Sequence, residues 1–181
     1  MFPHIEIINK ILSLGIIFFQ VIILFLVVNM IFFRNAKNHT LLFFRRNTFI
    51  IGLLISLGGI LSSFFYSVIV GYPPCELCIL QRIFFYPEFI IFLVVLYQKY
   101  KHILNLGIIL AVLGTLTSVY HIFVEGGKVD SALCSIAFSE GTSCAIRYVF
   151  EFGYITIPVM SLTLSLFVLV LLINFKMKYK E

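Results

Sequence analysis

The sequence predicts an all-α integral membrane protein, built as a four-helix transmembrane bundle core plus one additional N-terminal transmembrane helix. Three observations carry this reading. Apolar residues make up 61% of the 181 positions and charged residues 12%, far more apolar surface than a water-soluble domain of this size can hide. The apolar residues gather into five runs, and most lysines and arginines stand between them. A net charge of +5 does not point to nucleic acid, because no basic patch interleaved with polar residues is present.

The first run, Ile11 to Phe33, is long enough to cross about 30 Å of hydrocarbon at about 1.5 Å per residue. No basic leader precedes it and no small-residue cleavage site follows it, so it reads as a retained span rather than a signal peptide. The second, Thr48 to Val70, spaces Gly52, Ser56, Gly59 and Ser63 near one turn apart. The third, about Ile79 to Tyr97, is the short one, and Arg82 near its start must reach the interface or a protein-lined cavity. It also holds Glu88, a hydrogen-bond or proton site by default in an apolar run, beside Pro87, which is expected to open the helix locally. The fourth, Ile103 to Val124, carries Gly107, Ala111 and Thr115, with Gly114 and Ser118 beside them. Small side chains let helices approach closely in lipid, so the small faces of the second and fourth runs are expected to meet. A long external stretch from Glu125 to Glu151 follows, in which Ile136 to Phe150 reads as a short interfacial helix. The fifth run is about Phe152 to Phe175. Residues 1–181 thus read as a single membrane domain, with 11–33 as the extra span and 48–175 as the four-helix core.

Charge placement orients the spans. With five crossings, Arg34, Lys37, Arg45, Arg46, Lys99, Lys101, Lys176, Lys178 and Lys180 share one side, whereas Lys10, Arg82, Lys128 and Arg147 fall on the other. The positive-inside bias then puts the N-terminus outside and the C-terminus in the cytoplasm. Tyr72, Tyr120, Tyr148 and Tyr154 mark the outer headgroup level, and Tyr97 and Tyr100 the inner one.

All four cysteines, Cys75, Cys78, Cys134 and Cys144, lie on the outer side of this arrangement. In an oxidising compartment an even number of exposed cysteines tends to pair. Spacing favours Cys75 with Cys78 and Cys134 with Cys144, and exchange between the two pairs stays open. A Cys-x-x-Cys bridge closes so little chain that it contributes little as a staple, which favours redox exchange for that pair. Arg82, one turn after Cys78 on the same helix face, would favour a thiolate and steady an anion on a bound acceptor. Cys78 is placed at the start of that helix, where backbone amides also favour a thiolate. The same residues also fit two other readings: a transporter or metal-handling membrane protein using the thiols as soft ligands, and a disulfide-stapled structural subunit. Polar midplane residues for a transporter are few, and neither cysteine group has a histidine in its own segment.

The stretch PPCELC followed by QRIFFYP, the loop cysteines Cys134 and Cys144, and FGYITIPVMSL leading into the last run together resemble the DsbB/BdbC family of membrane thiol oxidases, closest to the BdbC branch. The resemblance covers roughly Asn47 to Phe175. The order of motifs differs from the related vitamin K epoxide reductase type, which carries its Cys-x-x-Cys in the last core helix. The family implies a protein-disulfide:quinone oxidoreductase in the bacterial cytoplasmic membrane. It implies that Cys134, paired with Cys144, exchanges with an extracytoplasmic thioredoxin-like dithiol oxidase, that Cys75 reoxidises the loop pair, and that Cys78 meets a membrane quinone, ubiquinone or menaquinone. It further implies that Arg82 supports that quinone and that no flavin or haem is bound. Apart from the resemblance, Gln81 reads as a polar quinone contact and His121 as a residue that faces the quinone or shares a proton, and no metal is expected. Two departures stand out: the N-terminal span, and the Ile79–Leu80 pair before Gln81 where many members of the branch have an aromatic.

Overall fold

The computed structural model describes residues 5–32, 39–98, 103–128 and 143–179. These form five helices: α1 (Ile5–Phe32), α2 (His39–Phe64), α3 (Glu76–Gln98), α4 (Leu104–Glu125) and α5 (Ile157–Tyr179). All five are long and apolar enough to cross a membrane. The protein is therefore all-α and multi-pass, as composition and periodicity predict.

The helix ends depart from the apolar runs in physically clear ways. The α2 helix begins at His39, nine residues before the expected Thr48, and so takes in Arg45 and Arg46. There Arg45 donates from Nε to the side-chain oxygen of Asn174 on α5, at 2.8 Å. At its C-terminal end α2 loosens into a π-helical turn, Phe65–Ile69, closed by Val70 N–H donating to Phe65 O at 3.0 Å. The last helix starts at Ile157, not Phe152: residues before it form a tight turn closed by the Glu151–Ile155 bridge, with Phe152 at φ 51° and Gly153 at φ 79°. The expected interfacial helix is not formed over its described part, since residues 143–150 are turns, bends and irregular chain; residues 136–142 lie outside the described residues. Helix α3 runs through Pro87 without a break.

Helices α2, α3, α4 and α5 pack in a closed ring in that order, and α1 lies outside it against α5 with a light touch on α2. With neighbours on three sides, α5 is the most buried span. The small-residue faces of α2 and α4 do not meet, contrary to expectation. Each receives large side chains from the helices between them. A Cβ at Gly52 would collide with the Phe92 ring, Gly59 faces Phe85, and Gly107 faces Leu172. Glycine here lets an aromatic ring of α3 lie directly on the α2 backbone, where packing must hold helices together without help from water exclusion. Polar pairs attach α1: Tyr66 O–H donates to Asn9 at 2.9 Å, and Gln20 donates to Thr163 at 3.1 Å while accepting from Tyr154 at 2.8 Å.

Candidate redox site

The chain enters α3 through Pro73 and Pro74, whose fixed backbone angles suit an extended approach. Cys75 then takes the N-cap position. Its carbonyl accepts the first helical hydrogen bond from Ile79 N–H at 3.1 Å, and its sulfur accepts from Cys78 N–H at 3.4 Å. The thiol that faces the free amides of the helix start is therefore Cys75, whereas sequence spacing had put Cys78 there. Cys78 sits in the first turn with its sulfur 2.8 Å from that of Cys75, and both are free thiols.

Helix α4 supplies what the local sequence lacked. His121, buried near its C-terminal end, places Nε2 at 3.5 Å from Cys75 Sγ. The hydrogen bond from the Cys78 thiol holds Cys75 well below the ordinary thiol range; burial opposes this, and the His121 ring adds to the lowering. Gln81, one turn beyond Cys78 and buried, donates to Ser118 Oγ at 3.2 Å and lies 3.5 Å from His121 Nδ1. Ser118 in turn reaches Ser161 on α5 at 3.2 Å. A polar chain thus crosses the bundle from Cys75 to α5, each member buried or partly so.

Two clefts meet at Arg82. One, at the sulfur-bearing end and with about 510 Å³ of empty space counting what is open to solvent, is lined by Cys75, Cys78, His121, Glu125 and Cys144. One wall is a stack of three rings, Tyr66 on Tyr72 (centroids 6.1 Å apart) and Tyr72 on Tyr148 (4.6 Å). The second, about 490 Å³, lies between α2, α3 and α5, with Ser63, Gln81 and Arg82 as its polar edge and Phe85, Met160 and Leu164 as its apolar floor. Arg82 lines both. Its Nη2 donates to Ser63 O at 3.3 Å, while its Nε is buried without a hydrogen-bond partner among the described residues.

Of the residues singled out from sequence, Cys75, Cys78, Cys144, Arg82 and His121 line one cleft, and Gln81 joins them through His121. Cys144 is buried and disulfide-bonded. Cys134 lies outside the described residues. Glu88 is buried two turns inward from Gln81 on the same face of α3 and lines neither cleft. Ser118, Ser161, Tyr66 and Glu125 were not singled out as site residues. Only Ser118 had a signal, its place in the small-residue stripe of α4.

Comparison with known proteins gives this arrangement a family. The chain is 33% identical to the SPbeta prophage-derived disulfide bond formation protein B of Bacillus subtilis (strain 168) over 116 residues, 64% of this chain and 76% of that protein. It is 38% identical over 113 residues to a probable disulfide formation protein of Oceanobacillus iheyensis, covering 61% and 77%. With the disulfide bond formation protein C of Bacillus subtilis (strain 168) it shares 27% over 128 residues, 71% and 91% of the two chains. No solved structure matches. The family model described as disulfide bond formation protein DsbB matches residues 45–175, which takes in α3, α4, nearly all of α2 and α5 through Phe175, and the chain belongs to that family of membrane disulfide-forming oxidoreductases.

Proposed function

We propose that this protein reoxidises an extracytoplasmic thioredoxin-like dithiol oxidase and passes the electrons to a membrane quinone. In the first exchange the partner's dithiol reduces a Cys134–Cys144 disulfide, and the partner leaves oxidised. The loop dithiol then reduces a Cys75–Cys78 disulfide, with Cys75 as the attacked sulfur. Finally the Cys75–Cys78 dithiol gives two electrons and two protons to the quinone, which leaves as quinol, and the disulfide re-forms. Each step breaks one sulfur–sulfur bond and makes another, except the last, where quinone is the oxidant.

The observation that carries this reading is Arg82 at the common edge of the two clefts. The outer cleft holds the sulfurs and opens beside Cys144, which suits a thiol donor arriving from outside. The second cleft offers a polar edge and an apolar floor against which a quinone ring could lie, with a cation to stabilise the charge that develops on its oxygen. Membrane orientation follows the positive-inside bias: the sulfur-bearing end faces out, and the end with Arg45, Arg46 and Lys176 faces the cytoplasm.

The test is to mix the purified protein with a quinone and a reduced thioredoxin-like partner and follow quinone absorbance. The unsubstituted chain is expected to turn over, and a Cys78→Ser form to stop. No turnover by the unsubstituted chain with either ubiquinone or menaquinone would sink the assignment.

A further inference from the structure

The sulfurs of Cys75 and Cys78 and a ring nitrogen of His121 all lie within 4.8 Å of one another. We infer that the dithiol form of this protein binds a soft, thiophilic divalent cation of the zinc type through Cys75, Cys78 and His121, and that the disulfide form does not. The donor set decides the class of ion. Two thiolates and an imidazole suit Zn²⁺ or Cd²⁺, and they discriminate against Mg²⁺ and Ca²⁺, which require oxygen donors.

Geometry is close to what such an ion needs. With Zn–S near 2.3 Å and Zn–N near 2.0–2.1 Å, neighbouring ligand atoms of a tetrahedral site stand roughly 3.5–3.8 Å apart. Cys75 Sγ and His121 Nε2 are already 3.5 Å apart. The two sulfurs, now 2.8 Å apart, must separate by about 1 Å, which side-chain rotation at the helix N-cap supplies. An outer contact is also in place: Gln81 lies 3.5 Å from His121 Nδ1 and, with its amide turned, accepts the proton there and holds the ring in the ligating tautomer. Glu125 lines the same cleft as these ligands with its carboxylate accepting from Thr156 at 2.7 Å, and a water would complete the tetrahedron. Binding takes up one cation and releases the two thiol protons; no electrons move.

The consequence is a reversible brake. An ion on both thiols removes the pair from exchange, and it does so only when electrons wait on that pair, as happens when acceptor is scarce. The site itself needs only the dithiol and does not depend on the acceptor being a quinone.

The full chain in detergent micelles, reduced with a phosphine that is then removed, is titrated anaerobically with Cd²⁺ while thiolate-to-cadmium absorption and bound ion are recorded. The reduced chain is expected to bind a single equivalent at this site and the oxidised chain none. A Cys134→Ser/Cys144→Ser form should retain that equivalent, Cys78→Ser should lose it, and His121→Ala, which removes a direct ligand, should weaken it by more than the roughly 10–100-fold that loss of a ligand's own hydrogen-bond partner costs. Equal binding by oxidised and reduced chains overturns the inference, and that comparison needs no substitution to fold. Unchanged affinity in His121→Ala, or loss of the ion from the Cys134→Ser/Cys144→Ser form, overturns it as well.

Discussion

His121 Nε2 stands 3.5 Å from Cys75 Sγ although 46 positions separate the two residues. The contact favours Cys75 as the anionic member of the reduced pair, since the Cys78 thiol hydrogen-bonds to its sulfur and the His121 ring adds to the lowering. Glu125, on the same cleft, is the opposing charge. The reduced chain should therefore alkylate at Cys75 well below the ordinary thiol value of 9.0. Cys78→Ala should move the midpoint of the alkylation profile upward most, and His121→Ala upward by less. The sign for stability follows: a depressed folded value stabilises the reduced protein above the unfolded thiol value, and that contribution is lost as pH falls through the folded one. Rates of iodoacetamide labelling against pH, read by mass spectrometry, check both. A profile unmoved by either substitution would remove the role given to these contacts.

Gln81 is the hinge of the buried polar chain, since one carboxamide serves Ser118 and His121 together. Gln81→Leu leaves two buried polar groups short of a partner and should cost about 1–3 kcal/mol of stability. In a double-mutant cycle with Ser118→Ala the coupling should be roughly 0.6 kcal/mol and at most about 1.7, the range for interhelical hydrogen bonds in lipid. Thermal unfolding in micelles measures both. Additive losses would mean that the two side chains act separately.

Gly52 has no room for a side chain, because the Phe92 ring of α3 occupies the space. Gly52→Ala should lower stability by about 1–3 kcal/mol through overpacking, and Phe92→Leu in the same chain should recover part of it. Gly58→Ala is the internal control, as nothing lies within 4 Å of its added carbon. Equal melting temperatures for the two alanine forms would refute the close approach of α2 and α3.

The span count and the sulfur-bearing end were legible because each rests on short-range information: run length, and motif order along the chain. Helix ends were less so, since lipid solubility limits the apolar run and not the helix; Arg45 continues α2 by pairing with Asn174. Small-residue stripes at Gly52 and Gly107 announced close approach but not by what, and Phe92 and Leu172 answer that only in three dimensions. The same limit hid His121 from the cysteine pair. A histidine 46 positions away has no spacing relation to Cys75 until α3 and α4 pack side by side. Cys75 at the N-cap was hidden because the helix starts at Glu76, two residues before the expected Cys78, a shift that spacing alone does not resolve.

Arg82 borders both clefts with one N–H on Ser63 O and its buried Nε without a partner, so the guanidinium keeps donors for an incoming group. An acceptor oxygen developing charge beside it would gain a charge-assisted hydrogen bond worth about 1.5–3 kcal/mol, equivalent to roughly 10–100-fold in rate over affinity. Arg82→Met should therefore reduce kcat/KM for quinone by about that factor. Arg82→Lys keeps the charge but gives up the planar fork. It should raise the KM for quinone while lowering kcat less, and should leave the KM for the thiol partner nearly unchanged. Steady-state kinetics with each substrate varied in turn separates these cases. If instead the thiol partner's KM carries the whole effect, Arg82 serves the sulfur cleft and the acceptor binds elsewhere.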